Sequence, residues 1–349
     1  MEQRNSVVLI PSYQPEETLI ILSRGLMNQG FKVLIVDDGS GPSYQHIFEA
    51  SKEFATVIGY DHNQGKGFAL KHGFKYIIDN FGEFKGVITA DGDGQHRILD
   101  IVAMEEKLSE SNTTIIGTRY FDTKIPFKSK IGNDMSQFTQ SLSTYRYLQD
   151  NQCGLRAFLI KDLPELIKIG GNRYEYEMRV ITHLQYKEIP YITMRVETIY
   201  EDGNKTSHFR PLLDTLLIQS SILLSGLINI ISYIVQAVLA FVFINFVYTS
   251  EEIIMRNELS VVSAFLAALI LHIVLLLIFY RPRYPAKTIL RVLLYQLLIL
   301  IAIFVTVCLF TEFLGLHILL SYLISAVLTL FPLFYIVKGV GIVYEAQHQ

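Results

Sequence analysis

Charge is thin in this chain, and cysteine and tryptophan are thinner still. Of its 349 residues, 18% are Asp, Glu, Lys or Arg, against about 25% in ordinary soluble domains. The formal net charge is only −3, so nothing in the charge balance points to nucleic acid as a partner. Cys153 and Cys308 are the 2 cysteines. They lie far apart, form neither a metal-type spacing nor a disulfide framework, and read as reduced thiols. Met1–Ser6 is polar and charged, unlike a secretory leader, so the N-terminal half is expected to stay in the cytosol.

The missing charge is missing from one end. Residues 1–215 alternate apolar and charged stretches, whereas long apolar runs dominate from Leu216 onward. A membrane-spanning helix needs roughly 20 mostly apolar residues. Ile218–Val247, Leu259–Tyr280, Val292–Phe310 and Leu316–Val337 meet that need, and such runs in close succession argue against buried helices of a soluble protein. Arg281, Arg283, Lys287 and Arg291 crowd the joint between the second and third runs, and Lys338 follows the fourth. The other joints hold only Arg256 as a positive charge. The excess of Lys and Arg on cytoplasmic loops therefore predicts a multi-pass protein with the basic joint, the C-terminus and the N-terminal half inside. His208–Asp214 contains a proline suited to a first helical turn, and residues 208–217 read as a helix lying in the membrane interface. The expected organisation is a soluble domain over 1–207, this juxtamembrane helix, and a membrane domain over 218–349.

In the soluble part, short apolar runs at Val7–Ile10, Lys32–Val36, Thr56–Tyr60, Gly86–Ala90 and Thr114–Gly117 read as strands. Helical patterns fall between them, at Glu16–Gln29, Tyr44–Glu53, Gly67–Phe81 and Ile98–Ser109. Strands alternating with helices predict an α/β fold, a mostly parallel sheet covered on both faces. Ligands of such sheets bind beyond the carboxyl ends of the strands. Pro11–Pro15, Asp37-Asp38 and Asp91–Gln95 all fall at such ends.

Asp91-Gly-Asp93 carries the sharpest chemistry. Two carboxylates one residue apart can converge on a hard cation that takes its other ligands from water and substrate phosphates. A calcium loop of the EF-hand kind would need an acidic residue where Val102 stands. Asp37-Asp38-Gly-Ser40 could hold a nucleoside or cap the next helix. Asn63-Gln-Gly65-Lys66-Gly67 could cradle phosphate, or be a plain turn before a helix.

Taken in order, these pieces resemble glycosyltransferase family 2, and within it the polyprenyl-phosphate branch typified by dolichyl-phosphate mannose synthase. Pro11-Ser-Tyr13 resembles the opening Pro-x-Tyr, Asp37-Asp38-Gly-Ser40 the nucleoside-binding strand end, and Asp91-Gly-Asp93-Gly-Gln95-His96 the metal motif. Gly117-Thr-Arg119-Tyr120 resembles Gly-Ser-Arg-Tyr, and Asp150–Ala157 resembles Asp-x-x-Ser-Gly-Phe-Arg-Ala. The likeness spans about residues 6–210. Pro15-Glu16 departs from the usual Asn-Glu, and glycines flank the metal aspartates where alanine and leucine are usual.

The resemblance implies a GT-A (Rossmann-like) fold and inverting transfer from a nucleotide-sugar, a UDP-sugar by preference, to polyprenyl (undecaprenyl) phosphate in the bilayer, with Mg2+ or Mn2+ held by Asp91, Asp93 and Gln95. It implies donor contacts from Pro11, Tyr13, Asp37, Asp38, Lys66, Gly67, Asp91 and Gln95. Arg119 and Arg156 would hold the lipid phosphate, since a guanidinium pairs with phosphate through two hydrogen bonds. Lys128, Lys130, Lys205 and Arg210 are weaker candidates for that task. Glu175 and Glu177 read either as contacts to sugar hydroxyls or as a solvated face. The apolar half is similar in helix number to the GtrA-like membrane proteins, and a simple anchor accounts for it equally well. Self-association stays open. The rival enzymatic reading, a processive polysaccharide synthase, expects a Gln-x-x-Arg-Trp motif, and this chain has 0 Trp. The non-enzymatic rival is a transporter whose soluble domain senses nucleotide-sugar.

Overall fold

The computed structural model describes residues 3–119, 127–197, 227–248, 253–280, 282 and 284–348. The juxtamembrane segment 208–217, Tyr120, Lys205, Arg210, Arg281 and Arg283 lie outside these, as do the side chains of Lys128 and Lys130.

The N-terminal domain is built on a seven-stranded sheet: β1 (Ser6–Ser12), β2 (Lys32–Asp37), β3 (Thr56–Gly59), β4 (Gly86–Thr89), β5 (Thr114–Arg119), β6 (Arg156–Leu159) and β7 (Tyr191–Val196), in the order β3-β2-β1-β4-β6-β5-β7. All neighbours run parallel except β6, which is antiparallel to both β4 and β5. The predicted mostly parallel α/β sheet is therefore present, with two strands the sequence does not advertise.

Side-chain alternation explains the layers. On β1, Val8 and Ile10 pack against α1 (Thr18–Asn28), α2 (Gln45–Ser51) and α4 (Ile98–Ser111). Val7 and Leu9 point the other way, against α3 (Lys66–Asn80), α6 (Leu163–Leu166) and α7 (Glu175–Lys187). All four are fully buried, which is why β1 reads as a continuous apolar run. Each such side chain contributes roughly 1.5–3 kcal/mol by leaving water. From β1 the chain winds outward through β2 and β3 on one side and starts again at β4 on the other. The loops after β1 and β4 therefore part at the point where open α/β sheets bind ligands.

After the sheet, the described residues include four helices long and apolar enough to cross a membrane. They are α8 (Leu227–Val242), α9 (Ile253–Tyr280), α10 (Pro285–Cys308) and α11 (Ile318–His348). The first and third continue through a wider turn to Val247 and Phe313. α9 and α10 begin earlier than the apolar runs, α10 at a proline suited to a first turn. α11 outlasts its apolar run by several turns. The bundle is apolar outside and buries polar side chains among the apolar ones of its core. Ile234, Ile270, Ile301 and Leu323 are exposed, whereas Ser232, Gln236, His272, Gln296, Ser321 and Ser325 are buried. That inversion is what a helix bundle in lipid requires.

The two domains meet through α5 (Phe127–Thr144) and the turn after it. Tyr145 and Tyr147 belong to the core of the bundle rather than to that of the sheet domain. Tyr145 stacks on Tyr295, 5.3 Å between ring centroids. Its hydroxyl accepts from Gln296 at 3.0 Å and bonds Asn229 at 3.1 Å.

Candidate active site

Because β1, β2 and β4 run parallel, the loops after them share one end of the sheet. They enclose a cavity of about 430 Å³. One wall comes from Pro11 to Glu16 after β1, and another from Asp38 with Asn63, Gly65 and Lys66. Asp91, Gly92 and Asp93 line it after β4, and Arg173 and Tyr174 close it from the segment before α7. The three strand-end clusters expected from the sequence thus form one pocket. Asp37, Gly67 and Gln95 lie outside its lining.

Asp38 organises the wall of the pocket formed by the β3–α3 loop. It is 3% exposed, and its carboxylate accepts from the Tyr60 hydroxyl at 2.7 Å, Asn63 Nδ2 at 2.9 Å and the backbone N–H groups of Gln64 and Gly65 at 2.8 and 3.0 Å. A carboxylate saturated in this way fixes the β3–α3 loop and faces the pocket with little capacity left. Burial, then the Asp38 contact, raises the Tyr60 phenol well above its usual value. Asp37 instead bends the chain, its Oδ1 accepting the Ser40 N–H at 2.8 Å.

Lys66 opens α3 and stands between two acids. Its Nζ is 2.6 Å from Asp91 Oδ1 and 2.8 Å from Glu177 Oε2. Burial opposes its charge, but Asp91 and Glu177 outweigh burial and hold the ammonium well above its usual range. Burial likewise opposes the Asp91 charge, and Lys66 followed by His96 outweighs it, keeping this carboxyl well below the usual range. His96 Nε2 lies 3.4 Å from Asp91 Oδ2. Gly154 makes room for this pair, since a Cβ there would sit 2.7 Å from Asp91 Oδ2 and 3.0 Å from Lys66 Nζ. Gly67 serves packing, because a Cβ on it would meet Tyr176 Cβ at 2.4 Å.

Asp93 has the opposite electrostatics. Burial and the Asp91 charge raise its carboxyl above the ordinary value, the mark of negative charge without its counter-charge. Its Oδ1 accepts the backbone N–H of Gln95 at 3.0 Å, so Gln95 reaches Asp93 through its main chain. No group of three His, Cys, Asp or Glu side chains able to hold a metal is present among the described residues. Two carboxylates on one pocket wall, one of them raised, fit a hard cation that draws further ligands from a bound diphosphate.

Arg119 ends β5 with its guanidinium forked onto Asp150, Nε to Oδ2 at 2.6 Å and Nη2 to Oδ1 at 3.1 Å. Asp150 is fully buried, and its Oδ2 also accepts the Arg119 N–H at 3.0 Å. Arg156 is 2% exposed and donates to the carbonyls of Cys153, Glu177 and Asn151 at 2.9, 2.5 and 3.3 Å. Its donors are spent inside the protein, where they fix the 151–154 turn against α7. Burial therefore keeps Arg156 from direct contact with a ligand, whereas Arg119 is partly exposed, and neither arginine is among the residues that line the pocket. Glu175 and Glu177 are both buried, so neither belongs to a solvated face. Glu175 Oε1 accepts the N–H groups of Asn172 and Arg173 at 3.0 and 3.3 Å.

The Glycosyl transferase family 2 model matches residues 7–166. The chain is 30% identical over 207 residues to the uncharacterized protein MJ1222 of Methanocaldococcus jannaschii, over 56% of this chain and 82% of that one. It is 26% identical over 219 residues to the UDP-N-acetylglucosamine–dolichyl-phosphate N-acetylglucosaminyltransferase of Methanococcus voltae, covering 56% and 86%. It is 23% identical over 222 residues to the dolichyl-phosphate beta-glucosyltransferase of Saccharomyces cerevisiae, covering 52% and 65%.

Proposed function

Since the chain belongs to glycosyl transferase family 2 and is a glycosyltransferase, we propose that it transfers a sugar, with inversion, from a UDP-sugar to the phosphate of a polyprenyl lipid of the undecaprenyl class. The observation that carries this reading is the single pocket in which the Asp38 cradle, Lys66 and the Asp91–Asp93 pair face one another. Two relatives bearing dolichyl-phosphate in their names support the acceptor class.

The reaction needs one displacement. A phosphate oxygen of the lipid attacks the anomeric carbon, the bond from that carbon to the diphosphate oxygen breaks, and the nucleoside diphosphate leaves. A phosphate monoester has its second pKa near about 6, so the nucleophile is already charged and no general base is required. The difficulty is bringing an anion to an anion. Asp91 and Asp93 would hold Mg2+ or Mn2+, which when bound supplies Lewis-acid neutralisation of the diphosphate. Lys66 adds a fixed positive charge beside Asp91. Pro11, Tyr13 and Asp38 shape the nucleoside end. Arg119, braced by Asp150, supplies the guanidinium for the lipid phosphate, and Arg156 positions the turn that carries Gly154.

The four-helix domain keeps this pocket near the bilayer, as a GtrA-like membrane domain with both termini cytoplasmic. The basic ends of the helices support that orientation. Arg291 on α10 contacts Glu188 of the sheet domain at 3.1 Å, and Lys338 on α11 lies 5.6 Å from the Tyr147 ring. A donor screen on the purified protein, read by mass spectrometry of the lipid product, tests the donor assignment. UDP-sugars are expected to be consumed. Use of a GDP-sugar alone would overturn the UDP assignment.

A further inference from the structure

Glu188 breaks three local rules at once. It caps the C-terminus of α7 in the left-handed region, φ +54°, a conformation that residues with a Cβ adopt rarely. It puts a carboxylate at the negative end of the helix dipole. It is also buried, 7% exposed, where an unpaired charge is costly. What offsets these costs comes from outside α7. Thr288 Oγ1 donates to Glu188 Oε1 at 2.6 Å, Arg291 Nη2 donates at 3.1 Å, and Arg146 Nη2 lies 3.7 Å away. Thr288 and Arg291 sit in the first turns of α10, a helix long and apolar enough to span a membrane.

The other end of α7 reaches the pocket through Lys66. Glu177, in its first turn, holds Lys66 at 2.8 Å, and the Glu177 carbonyl receives Arg156. Eleven positions separate Glu177 from Glu188, a rod of roughly 16 Å at 1.5 Å per residue. The rod is braced sideways against α5, where Gln140 donates to Gln185 at 3.1 Å and the Tyr186 hydroxyl to the Ser143 carbonyl at 2.8 Å.

We infer that Glu188 is a positioning residue for acceptor use: through α7 it fixes the height and tilt of the donor pocket over the membrane helix, and so sets how a membrane-held lipid phosphate meets the bound sugar. The inference rests on the proposed lipid acceptor. It concerns neither donor binding nor the chemistry at the anomeric carbon, because Glu188 touches nothing in the pocket lining.

The test uses the full-length protein in nanodiscs with two acceptors, a long polyprenyl phosphate held in the bilayer and a soluble two-isoprene phosphate. Glu188→Gln is expected to raise the KM for the long acceptor about tenfold, the factor lost with one charge-assisted hydrogen bond. Its donor affinity and its kinetics on the short acceptor should stay within about twofold of wild type. Arg291→Gln should shift it in the same direction, and the double variant should be no worse than Glu188→Gln alone, because the Arg291 contact is among those that Glu188→Gln already weakens. Thr288→Val, which deletes a single hydroxyl contact, gives a smaller shift of the same sign and serves if Glu188→Gln fails to fold. Equal losses on both acceptors, or an unchanged long-acceptor KM, would overturn the inference. A wild-type protein that glycosylates neither acceptor would instead overturn the proposed function.

Discussion

Adding one methyl group at Gly154 tests the site most sharply. Gly154 is not at positive φ, so alanine fits its backbone and the cost of the change falls on the contacts its Cβ would meet. The new Cβ, however, would arrive 2.7 and 3.0 Å from the Asp91 carboxylate oxygens and 3.0 Å from Lys66 Nζ, where ordinary contact begins at 3.4 Å. The carboxylate must therefore retreat by roughly 0.7 Å, taking the 2.6 Å Lys66–Asp91 contact beyond good hydrogen-bond length. A charge-assisted hydrogen bond is worth about 1.5–3 kcal/mol, or roughly 10–100-fold in an equilibrium constant. Gly154→Ala should weaken metal-dependent donor binding by up to that factor in calorimetry and lower turnover at least as much, in a protein that still folds and unfolds cooperatively. Donor affinity and turnover equal to wild type would refute the placement of Asp91 and Lys66 at the reacting end of the pocket.

Other outcomes follow from the same geometry. Asp93→Asn is near-isosteric but removes the less neutralised of the two carboxylates, so it should abolish turnover in a folded protein, and chelation should do so reversibly. Full activity in excess chelator would exclude a metal role. Arg119→Ala should raise the acceptor KM by roughly 10–100-fold and spare donor affinity; the reverse pattern would move Arg119 to the donor. Burial, then the neighbouring Asp150 charge, pushes the Cys153 thiol up to about 12. It therefore stays protonated until the pH rises past that value, and alkylation at about pH 8 should modify it only after unfolding. Rapid labelling of Cys153 in the native protein would show that the 150–154 turn is open.

The parts of the fold legible in the sequence are those where an apolar run stands between turn clusters. β1 to β5 are of this kind, and so is the pocket, because parallel strands place their following loops at one end whatever the details of packing. β6 carried no such signal. It is four residues long and begins with Arg156, whose burial makes sense only once the carbonyls of the preceding turn and that of Glu177 on α7 surround it. β7 pairs with β5 but keeps Arg195 exposed, so its alternation is weak. The motif order led to Asp91, Asp93, Lys66 and Arg119. Partners were harder to see. Asp150 and Gly154 sit inside a motif whose roles become clear only in three dimensions, and Glu177 is 111 residues from Lys66 in the chain yet 2.8 Å away in space. Arg156 was legible as a motif residue, but its burial was not, since arginine is seldom fully buried.

Glycosylation of a membrane-held lipid phosphate by this pocket can be observed in its product. The direct measurement is mass spectrometry of lipid extracted from nanodiscs that hold the full-length protein and polyprenyl phosphate, after incubation with UDP-sugars and Mg2+ or Mn2+. A new lipid heavier by one sugar residue is expected, formed together with UDP and absent when polyprenyl phosphate is omitted. Donor that binds but yields no glycolipid, or UDP released equally without the lipid phosphate, would contradict the proposed function.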